Sequence, residues 1–232
     1  MIVGVAVCPG APFLVPGVAE PLAAGSAELV AACVAAVRSL AGADRIILVT
    51  AGRRTVLYPP GTVAVSASPL RRSDLAPRRC GPALAAGTIV GRALLDRAFP
   101  DVVPAPVAIV ETGEDPATTC AAIRHGHPGS DALLVIADGA ATHGDHAPGR
   151  RDDRAGPFDD TLAAALAAGD PVALRRACAD RDLAAQLLAV IDPLCALAQL
   201  TEADPPTTAR VLYRGRPFGV GYLVAAWHWN RP

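Results

Sequence analysis

The chain has 232 residues, a formal net charge of −1, and 52% hydrophobic against 19% charged residues. This apolar content excludes a disordered chain, and the charge lacks the strongly basic balance typical of nucleic-acid-binding domains. We therefore expect a folded protein that binds no nucleic acid, and its length is compatible with a single α/β domain over residues 1–232.

The first nineteen residues carry no charged side chain, but prolines and glycines recur between Pro9 and Gly17. These residues would interrupt a membrane helix, and the apolar run begins at once, without the basic residues that open a signal peptide. Six cysteines show no metal-like spacing and are interpreted as reduced core residues. The sequence thus predicts a cytoplasmic protein without membrane contact.

The N-terminal fifty residues predict a βαβ unit. Residues 2–8 form an uninterrupted apolar run, which is typical of a strand buried on both faces of a parallel sheet. Apolar residues at helical spacing follow between residues 22 and 40, and Gly42 suits the end of that helix. Residues 45–50 predict a second buried strand, so a right-handed crossover joins two parallel strands.

The alternation of strands and helices continues to residue 137 and then changes. Residues 51–82 are rich in Pro, Gly, Ser and Arg, with one short alternating run at 62–67 that is compatible with an edge strand. Further strands are predicted at residues 107–110 and 133–137, and helices at residues 81–99, 116–124, 159–168, 171–178 and 183–200. Asp159 and Asp170 are expected to cap the helices that they precede.

The C-terminal part predicts a β-hairpin, with strands at residues 210–213 and 218–227 on either side of a Gly-Pro-containing turn. Together these elements indicate an α/β fold with a mostly parallel central sheet and helices on both faces. A helical insertion and the C-terminal hairpin complete it.

Ligands of open α/β sheets bind beyond the carboxyl ends of the parallel strands, so the loops after the predicted strands are the places for chemistry. The loop that starts at Asp138 reads DGAATHGDHAPG and carries His143 and His146. Histidine transfers protons near neutral pH, and glycines allow a ligand to approach the backbone. We expect the functional site here, centred on His143.

A metal site in the same loop is an alternative interpretation. His143 and His146, together with Asp138 or Asp145, could supply two imidazoles and a carboxylate to a divalent ion. The spacing lacks the i, i+4 helical geometry of stronger metal motifs. A second histidine pair, at residues 125 and 127, is expected on the surface at the opposite edge of the sheet.

Three segments together resemble small bacterial members of the class III extradiol ring-cleavage dioxygenase superfamily, the LigB-like proteins. They are the opening strand with CPGAPFLVPG at residues 8–17, the segment from DGAATH at 138–143 to AGPFD at 155–159, and the ending PFGVGYLVAAW at 217–227. The resemblance spans nearly the whole chain in order, and it implies a LigB-like fold.

The resemblance also implies an Fe(II) centre of two histidines and a glutamate, with a further histidine as acid and base. Gly10 stands at the first ligand position, and residues 51–54, which include Arg53 and Arg54, stand at the second. The only glutamate after His143 is Glu202, outside the predicted hairpin. No cofactor is therefore expected, whereas Thr142 and His143 match the family's acid/base element.

Three functions follow from these residues. The first is a metal-free pocket for a small anionic or aromatic ligand, in which Arg53 or Arg54 holds an anion and His143 supplies a proton, with Gly10, Asp138, Thr142 and His146 lining the site. The second is assembly or partner binding without catalysis. The third is a dioxygenase or other metalloenzyme with relocated ligands. Whether the chain is an enzyme or a homo-oligomer stays open.

Overall fold

The apolar runs predicted as buried strands lie at the centre of a seven-stranded sheet. The computed structural model describes residues 1–18, 26–60, 85–113, 115–124 and 128–230. The strands are β1 (Ile2–Cys8), β2 (Arg45–Ala51), β3 (Val56–Tyr58), β4 (Val107–Thr112), β5 (Asp131–Ile136), β6 (Thr208–Gly215) and β7 (Tyr222–His228).

The strand order across the sheet is β3-β4-β2-β5-β1-β7-β6. The four central strands β4, β2, β5 and β1 are parallel, whereas β3, β7 and β6 pair antiparallel with their neighbours. The mostly parallel sheet and the C-terminal hairpin that the sequence predicts are therefore confirmed. Because β7 runs antiparallel to β1, its first residues lie at the edge where the parallel strands end.

Helices cover both faces of the sheet. They are α1 (Ala27–Arg38), α2 (Ala86–Ala98), α3 (Pro116–Arg124), α4 (Ala155–Ala168), α5 (Pro171–Ala177), α6 (Arg181–Gln186) and α7 (Asp192–Thr201). Helices α1 and α2 pack on one face, and the core on the other face contains residues of α3 to α7. None of the helices in the described part of the chain combines the length and the apolar composition that a membrane span requires.

The central strands are mostly apolar because both of their faces are covered. Successive side chains of a strand point to opposite faces. On β5, Leu133 and Val135 accordingly belong to the core beneath α3 to α7, whereas Leu134 and Ile136 belong to the core beneath α1 and α2. All four side chains are buried. A strand in this position has no polar face, which explains the uninterrupted apolar runs.

Several predicted elements differ from those in the structure. Helix α4 begins at Ala155, so Asp159 lies inside the helix and is not its cap, whereas Asp170 does cap α5 by accepting from Val172 and Ala173 N–H. The helix predicted over 183–200 is two helices separated at 187–191. Strand β3 was not predicted, and the possible strand at 62–67 lies outside the described residues.

Helix α2 packs closely against the carboxyl ends of β2 and β5. A Cβ atom at Gly87 would overlap Thr50 Oγ1 and lie 3.3 Å from Ile136 Cγ2, and one at Gly91 would overlap the side chain of Leu48. Thr50 and Leu48 are themselves buried. The two glycines, one helical turn apart, therefore set how near α2 approaches the sheet edge where the site lies.

We predict that Gly87→Val lowers the free energy of unfolding by about 1–3 kcal/mol, because the added methyl groups force α2 away from Thr50. The matched control is Ala86→Val, since residue 86 is exposed on the same helical turn. It is expected to cost no more than the helix propensity difference, below about 1 kcal/mol. Urea denaturation of both variants measures the effect, and equal losses would contradict close packing at Gly87.

Candidate functional site

The loop that follows β5 is held in place by backbone hydrogen bonds to two neighbouring segments. Asp138 exchanges two backbone hydrogen bonds with Val190, and Ala141 N–H donates to Leu187 O. On the other side, His143 N–H donates to Gly219 O at 3.1 Å. These contacts satisfy the polar groups of a partly buried loop and fix its position. The break between α6 and α7 therefore serves to hold this loop.

His143 forms a short hydrogen bond with Asp159 of α4. The distance between His143 Nε2 and Asp159 Oδ2 is 2.6 Å, and the two side chains are only 6% and 3% exposed. The second oxygen, Asp159 Oδ1, accepts from Ala140 N–H at 2.8 Å. Because an ionised carboxylate only accepts hydrogen bonds, Nε2 carries the proton of a neutral His143, and Nδ1 is then a proton acceptor.

Two glycines make room for the Asp159 carboxylate. A Cβ atom at Gly139 would lie 2.5 Å from Asp159 Oδ1, and one at Gly221 would overlap Oδ2. The same two residues join the loop to the start of β7, since Gly139 N–H donates to Gly221 O and Gly221 N–H donates to Ala140 O. A side chain at either position would displace the carboxylate from His143.

Asp138 occupies the space beside Gly10 at the end of β1. Gly10 N–H donates to Asp138 Oδ1 at 2.9 Å, and a Cβ atom at Gly10 would lie only 2.8 Å from Asp138 Oδ2. Within the described residues, Asp138 Oδ2 has no hydrogen-bond partner. The space that a side chain at Gly10 would need is therefore taken by a carboxyl group from the loop after β5.

Burial raises the pKa of Asp138 to about 6, and the hydrogen bond from Gly10 acts in the opposite direction without cancelling it. Tyr222, at the start of β7, is 5% exposed. Burial and the nearby Asp138 charge raise the pKa of Tyr222 well above its usual value. The phenol stays protonated, while the carboxyl of Asp138 changes charge close to neutral pH.

Three aromatic rings lie on the segments that flank these groups. Phe13 makes edge-to-face contacts with Phe218 and Tyr222, with ring centroids 5.6 and 6.0 Å apart. Phe218 is 39% exposed and has a φ of 60°, a left-handed conformation that is unfavourable for a residue with a Cβ atom. It precedes Gly219, whose carbonyl holds the His143 backbone. The strained residue thus adjoins the predicted site.

The structure brings some of the predicted site residues together and leaves others apart. Gly10 and Asp138 are in contact, and His143 lies in the same loop as Asp138. His146 is exposed, and so are Arg53 and Arg54 after β2. Thr142 is buried, with its Cγ2 close to Gly149, and its Oγ1 has no hydrogen-bond partner among the described residues.

The residues present do not form the donor set of an iron centre. Gly10 offers only backbone, and the segment after β2 ends in two exposed arginines. Glu202 pairs with Arg175 after α7, away from the loop of His143. Among the described residues, no group of three or more His, Cys, Asp or Glu side chains is arranged to hold a metal ion. The relocated set around His143 and His146 is therefore not assembled.

Sequence reasoning missed the role of Asp159, although a signal was present. The buried residues of α4 include Phe158, Leu162, Ala163 and Leu166, and Asp159 is the one acidic residue on this apolar stripe. An acidic side chain on the buried face of a helix must have a partner inside the protein. Glu111, also buried, is a second such residue, and its Oε1 accepts from Ala85 N–H at the start of α2.

We predict that Asp159→Ala lowers the free energy of unfolding by about 2–4 kcal/mol, because Ala140 N–H and His143 lose a buried partner. Asp160→Ala is the matched control, since Asp160 is 57% exposed and pairs with Arg214 and Arg216 at the surface. It should cost below about 1 kcal/mol. Chemical denaturation distinguishes the two, and a loss at Asp159 no larger than at Asp160 would refute the buried contact.

We predict that Asp138→Asn stabilises the protein increasingly as the pH rises. Folding raises the pKa of the Asp138 carboxyl, so keeping this group ionised destabilises the folded state once the pH exceeds the pKa that it has in the unfolded chain. This loss of stability grows with pH and levels off above about pH 6. Asparagine keeps an acceptor for Gly10 N–H but carries no charge. The gain at pH 8 should exceed the gain at pH 5 by about 1 kcal/mol.

Denaturation of the wild type, Asp138→Asn and Asp145→Asn at both pH values checks this. Asp145 is an exposed aspartate of the same loop, so its variant should show no such trend. A gain from Asp138→Asn that is the same at both pH values would show that Asp138 titrates in the ordinary range.

Comparison with known proteins identifies a shared fold. No protein-family model matches this chain, and no curated protein matches it. Among solved structures, the chain is similar to the uncharacterized protein JW3007 from Escherichia coli K12, with a TM-score of 0.58 and 15% sequence identity. The similarity covers 97% of this chain and 99% of that chain. At this identity the match establishes a common fold along nearly the full length of both chains.

Proposed function

We propose that this chain is a small-molecule-binding protein of the extradiol ring-cleavage dioxygenase-like family. In this proposal His143, paired with Asp159, accepts a proton or a hydrogen bond from the ligand. The observation that carries the proposal is the 2.6 Å bond between two almost fully buried side chains at the carboxyl edge of the sheet. An α/β sheet binds its ligands at this edge.

The pairing gives His143 a defined protonation pattern. Asp159 holds the Nε2 proton, and within the described residues Nδ1 has no hydrogen-bond partner. An imidazole oriented in this way by a carboxylate accepts a proton at its other nitrogen, and the carboxylate stabilises the resulting cation. The same nitrogen can accept a hydrogen bond from a ligand hydroxyl without any reaction.

The aromatic rings favour a planar apolar ligand over a purely ionic one. Phe13 contacts both Phe218 and Tyr222, and these rings lie on or next to the segments that carry Gly10 and Gly219. Aromatic side chains stack on planar rings and supply most of the contact area in small-ligand sites. By contrast, the exposure of Arg53 and Arg54 gives the anion-holding version of the pocket less support.

The proposed function does not involve iron, because the described residues do not supply the ligands of an Fe(II) centre. In the resembling family the metal brings dioxygen and the ring substrate together, and that template role needs ligands which Gly10 and the arginines after β2 do not provide. What remains is a family-like loop with one proton-transferring histidine. The function proposed is therefore ligand binding with acid/base chemistry at His143.

The test measures the binding of three probes, phenol, catechol and 4-hydroxybenzamide, by NMR or calorimetry. We expect saturable binding to the wild type and at least about tenfold weaker binding to His143→Ala, which corresponds to about 1.4 kcal/mol for the lost hydrogen bond. His146→Ala is the control, because His146 is exposed three residues further along the same loop. It should bind the probes as the wild type does.

Two results would contradict the proposal. Equal losses from His143→Ala and His146→Ala would mean that the loop as a whole, and not the buried histidine, determines binding. Absence of binding for all three probes would favour the alternative function, which is assembly or partner binding on the same fold.

A further inference from the structure

Among the described residues, only one of the two oxygens of the Asp138 carboxyl group has a hydrogen-bond partner. Its Oδ1 accepts from Gly10 N–H at 2.9 Å, while its Oδ2 has no hydrogen-bond partner among the described residues. Asp138 is also partly exposed, so its side chain is not fully enclosed by the protein. A carboxylate held by one oxygen and open at the other can receive a ligand.

The backbone of Asp138 is fixed, so the open oxygen has a fixed place. Its N–H and C=O exchange hydrogen bonds with Val190 at 3.2 and 2.9 Å, outside the regular strands of the sheet. The carboxyl group also fills the space that a side chain at Gly10 would take. A preorganised acceptor of this kind loses little conformational entropy when a ligand binds.

The charged and titratable groups around Asp138 do not neutralise it. Tyr222 faces it from β7, and its phenol stays protonated because its pKa is raised. The loop after β1 presents the backbone of Gly10, and residues 187–191 present the backbone of Val190. His143 and Asp159 lie further along the site and pair with each other. No arginine is paired with Asp138 within the described residues.

We infer that Asp138 selects the charge of the ligand: its ionised carboxylate accepts a hydrogen bond from a neutral hydroxyl- or amide-bearing ligand and repels an anionic one. This inference rests on the proposed small-molecule function and names the ligand class of that site. Like charges a few ångströms apart repel strongly in a site shielded from water, so this repulsion distinguishes ligands of the same shape that differ in charge.

Selection by Asp138 depends on pH in a defined direction. The carboxyl is charged above its pKa of about 6 and neutral below it. Discrimination against anions should therefore be strong at pH 7.5 and weak at pH 5. A neutral Asp138 can donate a hydrogen bond to a carboxylate ligand. This bond further reduces the difference in affinity between neutral and anionic ligands at low pH.

The experiment compares 4-hydroxybenzamide with 4-hydroxybenzoate, which share shape and hydroxyl group and differ in charge. Dissociation constants are measured for the full chain by calorimetry or NMR titration at pH 5 and pH 7.5. For the wild type at pH 7.5 we expect the amide to bind at least about tenfold more tightly than the carboxylate. At pH 5 the ratio should fall below about threefold.

Two variants assign the effect to this residue. Asp138→Asn is neutral at both pH values, so its amide-to-carboxylate ratio should stay below about threefold throughout. Asp145→Asn changes an exposed aspartate of the same loop and should keep the wild-type ratios. The wild-type pH profile also tests the inference without any variant, in case Asp138→Asn does not fold.

The possible failures are distinguishable. If both probes bind in a His143-dependent manner but with equal affinity at pH 7.5, the inference on Asp138 is wrong and the proposed function stands. If the preference persists in Asp138→Asn, another group selects the charge and the inference is again wrong. If neither probe binds the wild type at either pH, the proposed function and the inference fall together.

Discussion

The buried contact between Asp159 and His143 depends on a constraint of space as much as on attraction. The carboxylate lies against the Cα atoms of Gly139 and Gly221, where a side chain on either residue would overlap it. A buried charge is tolerated only with partners, and here it has Ala140 N–H and the imidazole. Through these bonds one side chain joins α4 to the loop after β5, and it lies against Gly221 just before β7. The position of His143 therefore follows from how these three elements pack.

The sheet topology explains why these elements meet. Parallel strands β1 and β5 end at the same edge, and the antiparallel strand β7 begins there, so Gly10, Asp138 and Gly221 become neighbours although they are far apart in the chain. At this edge lie the carboxyl groups of Asp138 and Asp159 and the imidazole of His143. Asp138 stands beside Gly10. Such a site is suited to hydrogen bonding and proton transfer.

Much of the fold could be predicted because buried parallel strands have a strong local signal. The runs that form β1, β2 and β5 are largely apolar and are buried on both faces of the sheet. Boundaries were less predictable where tertiary contacts override local preference. Leu188 adopts a φ of 55° between α6 and α7, and Val190 pairs with Asp138, so a continuous helix there is replaced by a connection that holds the loop.

The candidate site, like the fold, was only partly predictable from the sequence. The sequence by itself predicted a site in the loop after β5, centred on His143, because histidine and glycines concentrate there and because ligands bind where parallel strands end. Only the tertiary structure decided which groups accompany it. Asp159 lies in the next helix, 16 positions after its partner His143. Gly10 lies 128 positions before its partner Asp138. Contacts over such separations depend on packing and strand order, which local composition does not encode.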